Sequence, residues 1–235
     1  MARKATRSKA RRSTSAAKPA PTGTPRERII AGFMALLSEQ AIERIGLAEI
    51  AERAGVTLAD LRGEFGTPLA ILAAHVKELD RKVLAEIDPD MEEESPRERL
   101  FDVLMRRIEA LAPHKAAVRS LARSAARNPG LAFALNGLSL RSQQWMLTAA
   151  DISASGPKGM LRAQGLAVLF ASVLRTFVDD DDDGHAKTMA ALDRALARGQ
   201  RWSGFLDDLC AIPARVCGNR ARRRRGGAEE DTVAA

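Results

Sequence analysis

The side chains able to do chemistry are few and scattered. His75, His114 and His185 stand apart in the chain, with no HxxxH or HExxH pair among them. Cys210 and Cys217 lie close to the C-terminal end with no histidine beside them, which is not the ligand spacing of a zinc site. Two cysteines build no disulfide framework, and nothing else points to an oxidising compartment. Asp179-x-Asp181-x-Asp183-Gly184 reproduces the first half of a calcium loop, but the twelfth position, which needs a bidentate Glu, is Ala190. The same carboxylates suit a helix N-terminus, where free N–H groups and the helix dipole favour an anion. Gly63-Glu64-Phe65-Gly66 has GxxG spacing without the strand and helix of a phosphate loop. There is no G-x-S-x-G elbow and no nucleophile with an evident partner base. The expectation is no catalytic residue, no metal, no cofactor and no enzymatic activity.

The informative block is LAEIAERAGVTLADLRGEFGTPLAIL, residues 47–72. Two apolar-periodic stretches of about eight residues flank Gly55, which suits an αL helix cap. Such a pair is a helix-turn-helix. Leu47, Ile50 and Ala51 are expected inward on the first helix, with Ala51 small enough for a close crossing. Val56 and Leu61 would lock the second helix down, and Thr57 would cap it. In a helix-turn-helix the second helix enters the major groove while the first lies across the backbone.

Everything ordered reads as helix. Tyr is absent, no β-branched alternation is sustained, and Ala, Leu, Arg and Glu dominate. Thr24-Pro25-Arg26-Glu27 and Ser95-Pro96-Arg97-Glu98 are capping boxes with Pro at the first helical position. About nine helices are predicted: one opening at Pro25, then 47–54, 58–64, 68–87, one opening at Pro96, then 116–127, 131–150, 158–178 and 185–209. Asn128-Pro129-Gly130 reads as a stop. The class is all-α: a helix-turn-helix domain on 24–87, an acidic linker on 88–95, and a helical effector-binding and dimerisation domain on 96–209. No apolar run reaches the roughly 18 residues needed to span a bilayer, since 159–178 is interrupted by Arg162, Gln164 and Arg175. No stable membrane insertion is expected. A cytoplasmic protein follows as the default, because the first 25 residues carry no apolar signal core.

The formal net charge of +7 is unevenly spread. A basic arm (1–23) and a basic tail (210–235) read as disordered, rich in Lys, Arg, Ser and Ala with nothing periodic to bury. Residues 26–87 hold eight bases and ten acids, so the helix-turn-helix domain is itself slightly acidic. Phosphate neutralisation supplies much of the affinity of a DNA-binding protein, so the arm would have to supply what the head lacks, by reaching into the minor groove. A solvated tail that only aids solubility is the alternative use of such a segment.

IxxxxxxLLxxxxxxxIGLAEIAERAGVTLADLRGEF followed by a long helix resembles the DNA-binding domain of the TetR family of bacterial regulators. The resemblance covers roughly 26–209, its second part by layout alone. It implies double-stranded DNA as partner, a homodimer, and an apolar small molecule or lipid as effector, whose differential affinity for two head spacings would shift DNA binding. Carried onto this chain, it implies phosphate contacts from Thr57 and Thr67. It places Leu58, Ala59 and Asp60 at the groove, with Asp60 facing cytosine or merely repelling, and charge from Arg53 and Arg62. Family members usually have Tyr where Arg62 stands and Lys where Pro68 stands, and Glu64 has the wrong sign for a phosphate. Leu104, Phe133, Trp145, Met146 and Phe170 are expected to line the effector pocket. Leu166, Leu169, Val173, Leu192, Leu196 and Trp202 are expected in a four-helix dimer interface.

The stretch GLAVLFASVLRTFVDDDDDGHAKTMAALDRALARGQRW is similar to the end of the bacterial relatives of the ubiquinone-biosynthesis accessory family, which share the TetR fold. The shared pattern is an apolar helix, an Asp-rich break, and a helix carrying Thr188-Met189, Leu192-Asp193 and Leu196. It implies the alternative function, an isoprenoid- or lipid-binding accessory protein that has lost DNA binding.

Overall fold

The computed structural model describes residues 23–199. Trp202, both cysteines, the tail, and all of the arm except Gly23 lie outside the described residues. Helix α1 (Pro25–Glu39) opens on the predicted capping box: the Thr24 hydroxyl accepts the Glu27 N–H at 3.2 Å, and the Glu27 carboxylate accepts the Thr24 N–H at 2.8 Å. Helices α2 (Leu47–Ala54), α3 (Leu58–Glu64) and α4 (Pro68–Ala85) follow. The 3₁₀ turn Pro89–Glu93 carries the acidic segment into α5 (Pro96–Leu111), which begins on the second capping box. Then come α6 (Lys115–Ala125), α7 (Pro129–Ala149), α8 (Gly156–Val178) and a last helix, α9, over 186–199 at the edge of the described residues. All nine are α-helices, and there is no strand among the described residues.

Asn128-Pro129-Gly130 starts a helix rather than only ending one. The Asn128 side chain accepts the Leu131 N–H at 3.0 Å and Pro129 occupies the first turn, so the segment is an N-cap. The Asp-rich break caps α9 from its far side. Asp180, fully buried, accepts the Thr188 N–H at 2.9 Å and the Thr188 hydroxyl at 2.7 Å, and Asp182 accepts the Ala186 N–H at 3.0 Å. The Thr188 donors hold the Asp180 carboxyl below the usual carboxylate range.

Apolar side chains separate into two cores. The first gathers Ile29, Phe33, Leu37, Ile50, Leu61, Phe65 and Ile71 from α1–α4. The second gathers Leu79 and Val83 of α4 with Leu104, Ile108, Met146, Phe170, Phe177 and Leu192. The cores therefore meet within α4, ahead of the acidic segment. The first core also takes Ala117 of α6 and, at its margin, Leu121, Leu135 and Leu138. The Ser120 hydroxyl donates to the Gln40 carbonyl at 2.8 Å and Ser124 donates to Glu43 at 2.9 Å, tying α6 to the turn after α1. Deep in the second unit, Arg107 binds Asp80 and Ser142, and Ser142 donates to the same Asp80 oxygen at 2.7 Å. That cluster joins α4, α5 and α7.

Helix α8 is long and apolar enough, by length and composition, to cross a bilayer, which the sequence reading did not expect. Its inward face, with Ala163, Leu166, Phe170, Val173 and Phe177, is packed into the second core, and its outward face carries Arg175. Only 39% of that apolar window is buried, and Met160, Leu161 and Val168 stand outward beside Arg175.

The burial pattern corrects the expected dimer residues. Leu166, Val173, Leu192 and Leu196 are 1–6% exposed or less and face their own core, and Leu169 packs half-buried against it. A periodic apolar stripe reads the same whether the covering surface is the chain itself or a second copy, and here the chain covers it. The outward apolar side chains are Phe133 (82% exposed) and Trp145 (59%) on α7, with Met160, Leu161 and Val168 on α8. The expected pocket divides likewise. Leu104, Met146 and Phe170 are buried together in the second core, whereas Phe133 and Trp145 stand on the outside.

Candidate nucleic-acid interface

The turn between α2 and α3 is built by backbone chemistry. Gly55 has φ 62° and ψ 41°, the left-handed conformation that costs a residue with a Cβ. Its N–H donates to the Glu52 carbonyl at 3.1 Å, and the Val56 N–H reaches back to the Ala51 carbonyl at 3.0 Å. These two bonds are a Schellman motif. Arg28 of α1 then donates from Nη1 to the carbonyls of Ala54 (3.3 Å) and Gly55 (2.9 Å), placing a cation on the negative end of α2.

A close crossing sets the angle of the pair against α1. At Gly32 a Cβ would come within 3.2 Å of the Ala54 backbone nitrogen and 3.4 Å of its Cα and Cβ. Ala51, expected to let α2 and α3 cross closely, is buried, and the separate approach of α1 to α2 rests on Gly32, which the sequence does not single out. Leu47, expected inward, is 43% exposed at the first turn of α2.

Helix α3 is short, so its own hydrogen bonds do not hold it. Leu61 (2% exposed) and Phe65 (6%) anchor it in the first core, each burial contributing roughly 2 kcal/mol. Phe65 also lies under the Arg26 guanidinium, 4.7 Å from ring centre to Cζ. The opposite side of α3 is open: Leu58 is 57% exposed, and Ala59, Asp60, Arg62, Gly63 and Glu64 are all exposed. Helix α3 packs on α1 and α2, and among the described residues its outward side chains are exposed.

Several expected contacts are committed within the chain. Thr57 and Asp60 form a capping box: the Thr57 hydroxyl accepts the Asp60 N–H at 3.1 Å and donates to Asp60 Oδ2 at 2.7 Å, while the same carboxylate oxygen accepts the Thr57 N–H at 3.1 Å. The Thr57 proton expected on phosphate is used here, and the Thr57 donors hold the Asp60 carboxyl below its usual range. Asp60 is thus a capping anion at the front of α3. Arg53 makes a two-pronged bond to Glu39, at 2.7 and 2.8 Å, so its charge is already matched. Glu64, the residue of unwelcome sign, sits 3.4 Å from Arg26. Arg62 has room at the exposed end of α3, beside Gly66. The Thr67 oxygen accepts the Ala70 N–H at 3.1 Å, which leaves its hydroxyl proton to donate outward.

The structure brings two histidines together that the sequence keeps far apart. His75 of α4 meets His114, just before α6, edge to face, with ring centres 4.6 Å apart. Burial, with the His114 charge adding to it, lowers the His75 pKa to about 4, and burial lowers that of His114 as well. Among the described residues no group of three or more His, Cys, Asp or Glu side chains is placed to hold a metal.

No family model matches the chain, and no curated protein does. Solved structures do. A TetR transcriptional regulator from Nitrosomonas europaea aligns over 76% of this chain and 99% of its own, with a TM-score of 0.60 and 20% identity. A TetR-family protein from Syntrophomonas wolfei aligns over 76% and 94%, with a TM-score of 0.55 and 13% identity. One from Streptomyces coelicolor aligns over 88% and 100%, with a TM-score of 0.53 and 15% identity. Two short helices joined by a glycine turn and packed on α1, followed by a long α4 and an all-helical second unit, give this chain the fold of the TetR-family transcriptional regulators.

Proposed function

We propose that the protein is a DNA-binding transcription regulator, acting as a repressor, and that it works as a cytoplasmic homodimer. The observation that carries the reading is the display of α3. A seven-residue helix is pinned by Leu61 and Phe65 and turns Leu58, Ala59, Arg62 and Gly63 to solvent. In a helix-turn-helix that surface reads base edges in the major groove. Arg62 and Thr67 are the phosphate donors the geometry favours, and the basic arm supplies charge that the head lacks. Leu58 and Ala59 offer apolar contact to a thymine methyl.

A second copy covers the outward apolar faces of α7 and α8, where Phe133, Trp145 and Val168 would otherwise stand in water. A dimer presents two α3 helices to one palindromic site. An apolar small molecule taken up by the larger unit shifts DNA affinity through α4, whose side chains belong to both cores. The isoprenoid-binding alternative gains nothing from its shared pattern, because Asp180 and Thr188 are accounted for by the cap of α9.

A chromosome-wide map of where the protein sits tests the proposal. Discrete peaks at a few promoters, its own among them, support it. Uniform low occupancy, or none, overturns it.

A further inference from the structure

Residues 88–98 and 179–193 hold twelve carboxylates against two Lys or Arg side chains, Arg97 and Lys187. The fold brings three of these carboxylates, Glu98, Asp182 and Asp193, to one place. Between the first turns of α5 and α9 lies an open groove of about 510 Å³, within the size range of small-molecule sites. Its floor is apolar: Phe101 from α5, and Ala186, Met189 and Ala190 from the face of α9 turned away from the core. Its rim is acidic, with Glu98, Asp182 and Asp193. Among the described residues the one base on the rim, Arg97, is already paired to Asp193 at 2.5 Å.

Other demands on these carboxylates do not cancel the field. Glu98 accepts from Ser95, and Asp182 accepts the Ala186 N–H, so each answers a helix N-terminus worth about half a positive charge. Asp181 and Asp183 beside them are exposed and add to the same field. An anion would be repelled here, and an uncharged apolar molecule would gain the floor but not the rim. The groove suits a molecule with an apolar body and one positive charge.

We propose that this groove binds organic ammonium ions carrying an alkyl or aryl body, with the body on Phe101 and Met189 and the charge at Asp182 and Glu98. The whole molecule is basic, so non-specific attraction works in the opposite direction and favours anions. A preference for the cation therefore reports on this site and not on net charge.

The test is calorimetric titration of the full-length chain with three probes of one tail length: octyltrimethylammonium, octyl sulfate and octyl glucoside, each below its micellar concentration. The expected result is saturable binding of the ammonium, one per chain, and weaker than it by about tenfold or more for the other two, since two nearby carboxylates each add on the order of 1 kcal/mol. Asp193→Asn, which frees Arg97 to oppose the ligand, lowers ammonium affinity about fivefold on the same scale. Ala190→Trp, on an exposed position, fills the groove and abolishes ammonium binding while the thermal midpoint stays put. Equal binding of the three probes, no saturable site, or ammonium binding that survives Ala190→Trp overturns the proposal.

Discussion

Acidification will weaken this fold through His75. His75 lies between α4 and the segment leading into α6, edge-on to His114, and its Nε2 is buried without a hydrogen-bond partner. Burial, with help from His114, lowers its pKa from 6.5 to about 4. The native state therefore holds the neutral ring while the unfolded chain takes up a proton. Stability is fully present above the unfolded value and declines as pH falls through the window between 6.5 and about 4. Two and a half pKa units set a ceiling of about 3 kcal/mol, reached only below the folded value. Between pH 7.5 and 5.5 the loss is about 1.3 kcal/mol from this ring alone. The perturbation is His75→Phe, which keeps the ring and its contact with His114, removes the titration, and sacrifices no Nε2 hydrogen bond. Urea unfolding of both proteins at the two pH values measures the difference. The wild type should lose about 1.3 kcal/mol more than the variant. The variant will keep a smaller loss, because burial lowers the His114 pKa in the same direction. Equal losses in the two proteins would refute the reasoning.

Three further outcomes follow from the geometry. Asp80→Ala leaves Arg107 buried without its carboxylate and should cost about 3–5 kcal/mol, most of it restored in Asp80→Ala/Arg107→Met, as urea unfolding will report. Thr57→Ala removes the cap of α3 and should cost about 1 kcal/mol, with faster amide exchange confined to α3 as its signature. If the proposed homodimer forms through α7 and α8, Phe133→Ser with Val168→Ser should give a monomer in sedimentation runs without loss of helix content, whereas a dimer in both proteins would move the interface elsewhere.

The elements were legible because this chain marks its helix ends. Thr24, Thr57 and Ser95 are caps in the sequence and caps in the structure, Gly55 is the turn that its position promised, and Thr67, expected only on phosphate, is a cap as well. Asn128 was read in one direction only, because Asn-Pro both stops one helix and starts the next. The outward face of α3 was legible too, since Leu61 and Phe65 fix which side is inward. What the sequence hid is pairing at a distance. Arg28 reaches the end of α2, Arg26 meets Glu64, and His75 meets His114, and no spacing along the chain announces any of these. Arg53 is held by Glu39 across the α1–α2 contact, another pairing that no spacing announces. Leu166, Val173, Leu192 and Leu196 looked like an interface because a stripe that faces a core and one that faces a partner have the same period.

Binding of the full-length protein to DNA from its own upstream region tests the central claim most directly, measured for the wild type and for Arg62→Glu at about 50 and 200 mM salt. The account predicts a discrete complex whose affinity falls steeply with salt, and falls at least about tenfold further when Arg62 is reversed, with no change in thermal midpoint. Binding that is indifferent to Arg62, or no complex at the lower salt, would contradict it.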